Sequence, residues 1–311
     1  MYRIGIDLGG TNIAAGVVDE RQHIVAEVSL PTGATRKPEA VVEDICRAAA
    51  LAMEKAGITA THCASIGIGS PGTCDSDRGV VVRAYNLGWF DVPVCAMVTA
   101  RLGLPCRLSN DANCAALAET VAGAAVGCRN MVLVTLGTGV GGGIVSGGKL
   151  LEGVGGTGAE VGHTVLVLDG EDCTCGRKGC WEAYASATAL IRQGKRAAAA
   201  QPESLLAGYG DALTGKDVFD AAAAGDAAAR SVVARYCVYV AAGITDLVNI
   251  LGPELVLIGG GISRQGERLL APIREYVAAN CFGGHDRKPP VIECAKLGNV
   301  AGIIGAAALG T

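Results

Sequence analysis

Apolar and polar positions alternate from the start of the chain, where Ile4, Ile6 and Leu8 are separated by Gly5 and Asp7. Alternation of this kind predicts a β-strand with one buried face. A Gly9-Gly10-Thr11-Asn12 turn and a second apolar run over 13–19 follow, so the two runs read as a β-hairpin. A third strand is expected over 24–30, a helix over 38–55 closed by Gly57, and a buried strand over 65–70 ending in Pro71-Gly72. A short apolar strand at 106–108 leads into a helix over 112–122.

The opening pattern then returns. Leu136-Gly-Thr-Gly139-Val-Gly-Gly-Gly143-Ile-Val145 echoes Leu8-Gly-Gly-Thr11-Asn-Ile-Ala-Ala-Gly16-Val-Val18 with one residue deleted. The echo predicts two related α/β halves, each opening with its own hairpin. An alanine-rich helical interval over 183–235, with a loop near 201–210, precedes an apolar strand at 255–258 that runs into Gly259-Gly260-Gly261. A helix over 266–280, a strand over 291–295 and a small-residue helix over 300–309 complete the pattern.

With 311 residues, half of them hydrophobic, the chain can bury a sizeable core and suits two domains. The net charge of -4 and the absence of any Lys/Arg run longer than two speak against a nucleic-acid or membrane-surface partner. Asp7 interrupts the stretch where an export signal needs apolar residues, so a soluble, cytoplasmic protein is expected. The most membrane-like run, 236–245, is bracketed by Arg235 and Asp246 and falls short of the roughly 20 residues that span a bilayer. Of the 13 cysteines, Cys46, Cys63, Cys95, Cys114 and Cys237 are scattered through apolar stretches and read as reduced core residues. Cys173, Cys175 and Cys180 instead cluster in a polar, glycine-bearing segment.

Several motifs admit two readings. In Asp7-Leu-Gly-Gly-Thr-Asn12 the glycines let backbone N–H groups converge on an anion, while the acid can hold Mg²⁺ through water. The same hexapeptide serves equally as a plain tight turn. Gly137-Thr-Gly139-Val-Gly-Gly142 has the spacing of a dinucleotide fingerprint, but a strand continues where that fingerprint needs a helix. Gly210 to Lys216 imitates a P-loop, yet Asp217 stands where Ser or Thr should hold Mg²⁺, so a loop and helix start are expected. Asn110-Asp111 is either a helix cap or a carboxylate at a strand end poised as general base. His163, Cys173, Cys175 and Cys180 carry the donor set of a closed tetrahedral zinc site, structural because no coordination position stays open. Glu160 and Glu182 flank those donors.

Taken together, Asp7-Leu-Gly-Gly-Thr11, Asn110-Asp111, Leu136-Gly-Thr-Gly139, Glu160-Val-Gly-His163 and Cys173-Thr-Cys-Gly-Arg-Lys-Gly-Cys180-Trp-Glu182 resemble the ROK family of repressors and sugar kinases. The resemblance implies an actin-like (ribonuclease H-like) ATPase fold of two α/β domains with a cleft between them. The smaller domain would span 1–115 plus 296–311, the larger 116–295. It further implies an ATP-dependent kinase, most like a bacterial glucokinase, that phosphorylates the 6-hydroxyl of a hexose. Asp111 would be the general base. Gly72, Asn86, Asn110, Asp111, Glu160, His163 and Glu182 would bind the sugar, with His163 serving zinc and sugar through different ring nitrogens. Asp7, Gly9, Gly10, Thr11, Asn12, Thr138 and Gly139 would hold ATP phosphates and Mg²⁺, and Gly260 and Gly261 would pack against adenosine. A homodimer or homotetramer is expected.

Two departures from the family pattern are Ala159, where glycine is more usual, and Asn12, where several relatives carry lysine. Kinases of N-acetylmannosamine, N-acetylglucosamine or fructose are the alternatives. A sugar-responsive repressor would need a helix-turn-helix domain before a hairpin that here begins at residue 4. Because the hairpin turns at 9–11 and 138–139 lie outside the metal-ligating segment, loss of the metal is expected to weaken sugar binding and spare ATP.

Overall fold

In the computed structural model, which describes residues 1–34, 36–286 and 288–309, the first alternating run forms β1 (Tyr2–Leu8). It pairs antiparallel with β2 (Asn12–Val18), which pairs antiparallel with β3 (Ile24–Pro31). Helix α1 (Pro38–Lys55) crosses to β4 (Cys63–Ser70), parallel to β1. A small sheet of β5 (Thr73–Asp75), β6 (Val80–Ala84) and β7 (Trp89–Val92) follows. Then α2 (Val94–Leu102) leads to β8 (Cys106–Asn110), parallel to β4, and on to α3 (Asp111–Ala122). The main sheet has the order β3-β2-β1-β4-β8.

The second half repeats the plan with β9 (Met131–Leu136), β10 (Val140–Ser146) and β11 (Lys149–Leu150). A short helix α4 (Glu182–Ala185) precedes α5 (Ala187–Ala200), α6 (Gly215–Ala223) and α7 (Ala227–Leu251). Strand β12 (Leu255–Gly259), helix α8 (Glu267–Asn280), strand β13 (Val291–Cys294) and helix α9 (Ala301–Ala308) end the fold. The second sheet runs β11-β10-β9-β12-β13, with β12 parallel to both β9 and β13. Both sheets thus set three consecutive strands beside two that arrive by helical crossovers, which is the doubling that the sequence echo anticipates.

Ile4, Ile6, Leu8, Ile13, Ile66 and Ile68 share a buried cluster with Val41, Val42 and Ile45 of α1. On α9, small residues permit direct contact with the sheet: a Cβ at Gly5 or Gly67 would collide with the Ile303 or Ala306 carbonyl. The swap of one hydrogen for a methyl at either glycine would push the helix away from β1 and β4.

Compactness divides the chain into 1–129 with 143–159 and 296–311, and 130–142 with 160–295. The expected division after residue 115 would cut α3, which is continuous to Ala122. Glu119 on that helix is buried and accepts hydrogen bonds from the backbone N–H groups of Lys296 and Leu297, both at 2.8 Å. Gly143 lies flush against Ala112 and Ala116, and Gly156 against the Cys74 carbonyl, so 143–159 joins the first unit as well.

The apolar run at 236–245 is part of a 25-residue helix, α7, long and apolar enough to cross a bilayer. The sequence expectation took only its middle. Val232, Tyr236, Val240, Ile244 and Val248 recur every fourth residue along it, and all are buried in protein. That stripe is the signature of a core-facing helix.

Candidate active site and metal centre

In the first unit the β1–β2 turn is held from outside itself. Thr32, fully buried just beyond β3, donates its hydroxyl to the Gly9 carbonyl (2.7 Å) and its N–H to the Thr11 carbonyl (2.8 Å). Within the turn, Gly9 N–H donates to the Asn12 carbonyl at 2.9 Å. Gly10, Thr11 and Asn12 remain exposed. The Asn86 carboxamide lies against Gly10, where a Cβ would come within 3.3 Å of Nδ2.

Asp7 ends β1 at the root of this turn. Burial, and next the negative charge of Asp111, push its pKa up to about 6. Gly302 of α9 abuts the Asp7 carboxylate so closely that any side chain there would collide with it. Of the two readings of Asn110-Asp111, the helix cap falls to Asn110. Asn110 is the N-cap of α3, its Oδ1 accepting from Ala112 N–H at 2.8 Å, while its Nδ2 donates to the Gly72 carbonyl at 3.0 Å. Gly72 adopts φ +88°, a conformation open to glycine. With the cap supplied by its neighbour, Asp111 stands exposed at the first helical position, its Oδ1 2.8 Å from the same Ala112 N–H. Two residues before Asp111, Ser109 donates to Glu152, which also accepts from Ser76 (3.0 Å).

In the second unit the Gly137–Gly139 turn is pinned by the start of α5. Ala187 N–H donates to the Gly137 carbonyl and the Thr188 hydroxyl to the Thr138 carbonyl, both at 2.8 Å. A strand, β10, follows, as the rejection of the dinucleotide fingerprint requires. Gly260 takes φ +81° after β12 and packs on the Leu136 carbonyl, which brings it beside the second turn. The P-loop imitation resolves into a capping box: Thr214 caps α6 and Asp217 reaches back to the Thr214 N–H at 2.9 Å.

His163, Cys173, Cys175 and Cys180 converge, their donor atoms all within 4.8 Å of one another. Cys173 Sγ lies 3.7 Å from His163 Nδ1, and Cys175 Sγ 3.6 Å from Cys180 Sγ. The local fold explains the convergence. Gly176 N–H closes a turn onto the Cys173 carbonyl (3.0 Å), and Val165 bridges to Cys180. Buried Trp181 anchors the segment by donating Nε1–H to the Tyr239 carbonyl at 2.8 Å. The Arg177 backbone N–H draws the Cys175 thiol down to about 6, whereas burial raises that of Cys173.

Glu182 departs from the expectation that metal segment and hairpin are independent. Its Oε2 accepts from Val140 N–H at 3.0 Å, at the second hairpin turn. Its Oε1 accepts from the Thr174 hydroxyl at 3.1 Å, between two of the cysteines. Gly139 must lack a side chain, because a Cβ would strike this carboxylate. Glu160 is exposed, three residues before His163. Thr32, Glu152 and Thr174 were not anticipated, since each acts through a contact that only the fold creates.

The ROK family sequence profile matches residues 3–311. A glucokinase of Streptomyces coelicolor is 42% identical over 312 residues, covering 98% of this chain and 96% of its own. The crystal structure of a ROK family glucokinase from Streptomyces griseus in complex with glucose and AMPPNP superposes with a TM-score of 0.83 at 41% identity, covering 99% of both chains. A ROK hexokinase structure from Thermus thermophilus gives a TM-score of 0.83 at 36% identity, with 99% and 97% covered. With such relatives the chain shares the actin-like ATPase fold that its motifs imply. Motif order, doubled topology and whole-length similarity agree: the chain belongs to the ROK family.

Proposed function

We propose that the protein is an ATP-dependent hexose kinase that phosphorylates the 6-hydroxyl of glucose. The observation that carries this reading is the placement of Asp111, exposed at the N-terminus of α3 with its capping duty taken by Asn110. The 42% identity to a glucokinase, and the likeness to a glucokinase holding glucose and AMPPNP, support the substrate and the phosphate donor.

In this mechanism Asp111 accepts the proton of the sugar 6-hydroxyl as that oxygen attacks the γ-phosphorus. Proton acceptance of this kind contributes about 10²–10⁴-fold. Mg²⁺ bound with ATP would neutralise charge on the transferring phosphoryl group. Asp7 would hold the hydrated cation, and Gly9, Gly10, Thr11, Asn12, Thr138 and Gly139 would receive the phosphates. Gly260 and Gly261 would lie along adenosine. Asn110, with its carboxamide held by Gly72, would orient sugar hydroxyls together with Asn86, Glu160, His163 and Glu182.

The four-donor cluster fits Zn²⁺. With Zn–S near 2.3 Å, two thiolates of a tetrahedron stand about 3.8 Å apart, close to the 3.6 Å between Cys175 and Cys180. His163 presents Nδ1 to Cys173, so Nε2–H is left to donate to a sugar hydroxyl. With four protein donors and no open position, such an ion would be structural. None of the thirteen cysteines is paired in a disulfide, which suits a reducing, cytoplasmic setting.

The test is a coupled assay across glucose, fructose, mannose, N-acetylglucosamine and N-acetylmannosamine, with ATP or polyphosphate as donor. Glucose with ATP is expected to give the highest kcat/KM. Absence of phosphoryl transfer to every hexose would reject the proposal.

A further inference from the structure

A cavity of about 320 Å³ opens in the second unit between α5, α7 and the segment that leads into the cysteine cluster. Three guanidinium groups line it, those of Arg192, Arg196 and Arg235, against one carboxylate, that of Glu171. Guanidinium groups stay charged at any physiological pH, so the cavity keeps an excess of two positive charges.

The charges are incompletely satisfied. Arg196 binds Glu171 in fork geometry, with contacts of 2.5 and 3.0 Å. Arg192 donates through Nη2 to the Ala183 carbonyl, but its buried Nε has no hydrogen-bond partner and stops 3.7 Å short of Glu171. Arg235 forms no hydrogen bond or ion pair with the described residues. The Tyr184 hydroxyl accepts from Glu171 N–H at 2.7 Å, which leaves its proton to donate into the cavity. The Tyr184 and Tyr239 rings, tilted at 53° with centroids 4.9 Å apart, add an aromatic face beside the charges.

We infer that this cavity is a binding site, separate from the residues assigned to catalysis, for a phosphate monoester of monosaccharide size. Arginine forks match phosphate oxygens in pairs, and the dianion offsets the excess charge. The volume sits at the lower end of the range for small-molecule pockets, enough for one phosphorylated sugar and too little for a nucleotide with its base and three phosphates. The aromatic face suits the C–H surface of a sugar ring.

Occupancy would reach the cysteine segment by a short route. The incoming phosphate competes with Glu171 for Arg192 and Arg196. Glu171 in turn holds Gly179 through its carbonyl (2.8 Å) and Tyr184 through its N–H. Gly179 precedes Cys180, and Tyr184 lies two residues beyond Glu182. An ester bound here is therefore an effector that acts on the segment carrying Glu182, and inhibits without competing with either substrate.

The experiment titrates glucose 6-phosphate, with glucose and inorganic phosphate as controls, into the wild-type protein and into Arg235→Ala. Calorimetry is run at low and at moderate salt. Expected is a saturable, salt-weakened site for glucose 6-phosphate that loses about tenfold or more in affinity in Arg235→Ala, with glucose binding equal in both proteins. Basal turnover of Arg235→Ala should match wild type, while its inhibition constant for the ester rises by the same factor. Product bound only among the catalytic residues would give equal affinities in the two proteins, which overturns the inference. A change of oligomeric state in Arg235→Ala, read by light scattering, would make the arginines a subunit contact and overturn it too. The calorimetric result stands or falls whether or not hexose kinase activity is found.

Discussion

Replacing Asp7 with asparagine should make the protein more stable and less active. The Asp7 carboxyl is raised from 3.8 to about 6, first by burial and second by the charge of Asp111. A raised carboxylate pKa means that the fold prefers the protonated form. The contribution of Asp7 to stability is therefore fully present below pH 3.8 and is lost as pH rises through about 6. At neutral pH the folded protein bears the cost of an ionised, half-buried carboxylate. Two pKa units correspond to roughly 3 kcal/mol, and residual solvent screening reduces this to about 2 kcal/mol. For a unit of this size that is a rise in Tm of about 4–8 °C. The assay is thermal unfolding of wild type and Asp7→Asn with EDTA and no nucleotide, from pH 4 to pH 8. The curves should nearly coincide at the acid end and separate between pH 4 and 6, the variant melting higher above that. In kinetics the variant should lose turnover, since a neutral amide holds Mg²⁺ far more weakly than a carboxylate, a trade of stability for function. Equal melting temperatures at pH 7, or a gap that does not change with pH, would refute the reasoning.

Asp111→Asn should retain calorimetric binding of glucose while turnover falls about 10²-fold or more, and turnover within a factor of two of wild type would remove Asp111 from the base role. Protein purified without added zinc should contain about one equivalent by metal analysis, because thiolate-rich sites bind tightly; under half an equivalent with all three thiols freely reactive counts against the site. Ala159 adopts φ +61°, in the left-handed region, so Ala159→Gly should stabilise by about 1 kcal/mol, visible as a shifted denaturation midpoint at constant slope. Thr174→Val, which removes a hydroxyl held at 3.1 Å by Glu182, should raise the KM values of sugar and ATP together, and an unchanged KM for ATP would sever the proposed link.

Strand positions were legible wherever one face is buried and the other is not, because the alternation of β1 and β2 is a direct image of the sheet they form. The repeat of that hairpin at β9 and β10 was legible for the same reason, and the doubled sheet order follows from it. The convergence of His163, Cys173, Cys175 and Cys180 was legible because three of the four lie within one short turn-forming segment. Thr32 was not, since its place over the first turn depends on the register of β3 on β2, in which Pro31 pairs with Asn12. The unit boundary escaped because it rests on contacts between distant segments, with α3 packed on α9 through Ala118, Ala301 and Ile304 and Glu119 holding a backbone stretch that begins 177 residues later. The extent of α7 escaped because Asp246, which looked like an end, is an exposed residue on the outer face of a continuing helix.

The least legible feature is the double duty of Glu182, and it changes what the proposed metal would do. Read along the chain, the cysteine segment and the Thr138–Gly139 turn are some forty residues apart and have nothing in common. In the fold one carboxylate spans them, with Val140 N–H on one oxygen and the Thr174 hydroxyl on the other. Each of those oxygens keeps acceptor capacity, so the same group can still take a sugar hydroxyl. A cation that fixes Cys173 and Cys175 fixes Thr174 between them, and through it the rotamer of Glu182. The Glu182 carboxylate then sets the position of the turn proposed to receive phosphate. A structural metal at the proposed site would thus constrain both substrates through one side chain. The sequence alone had suggested a constraint on sugar only, because hydrogen bonds between distant segments leave no mark in spacing or periodicity.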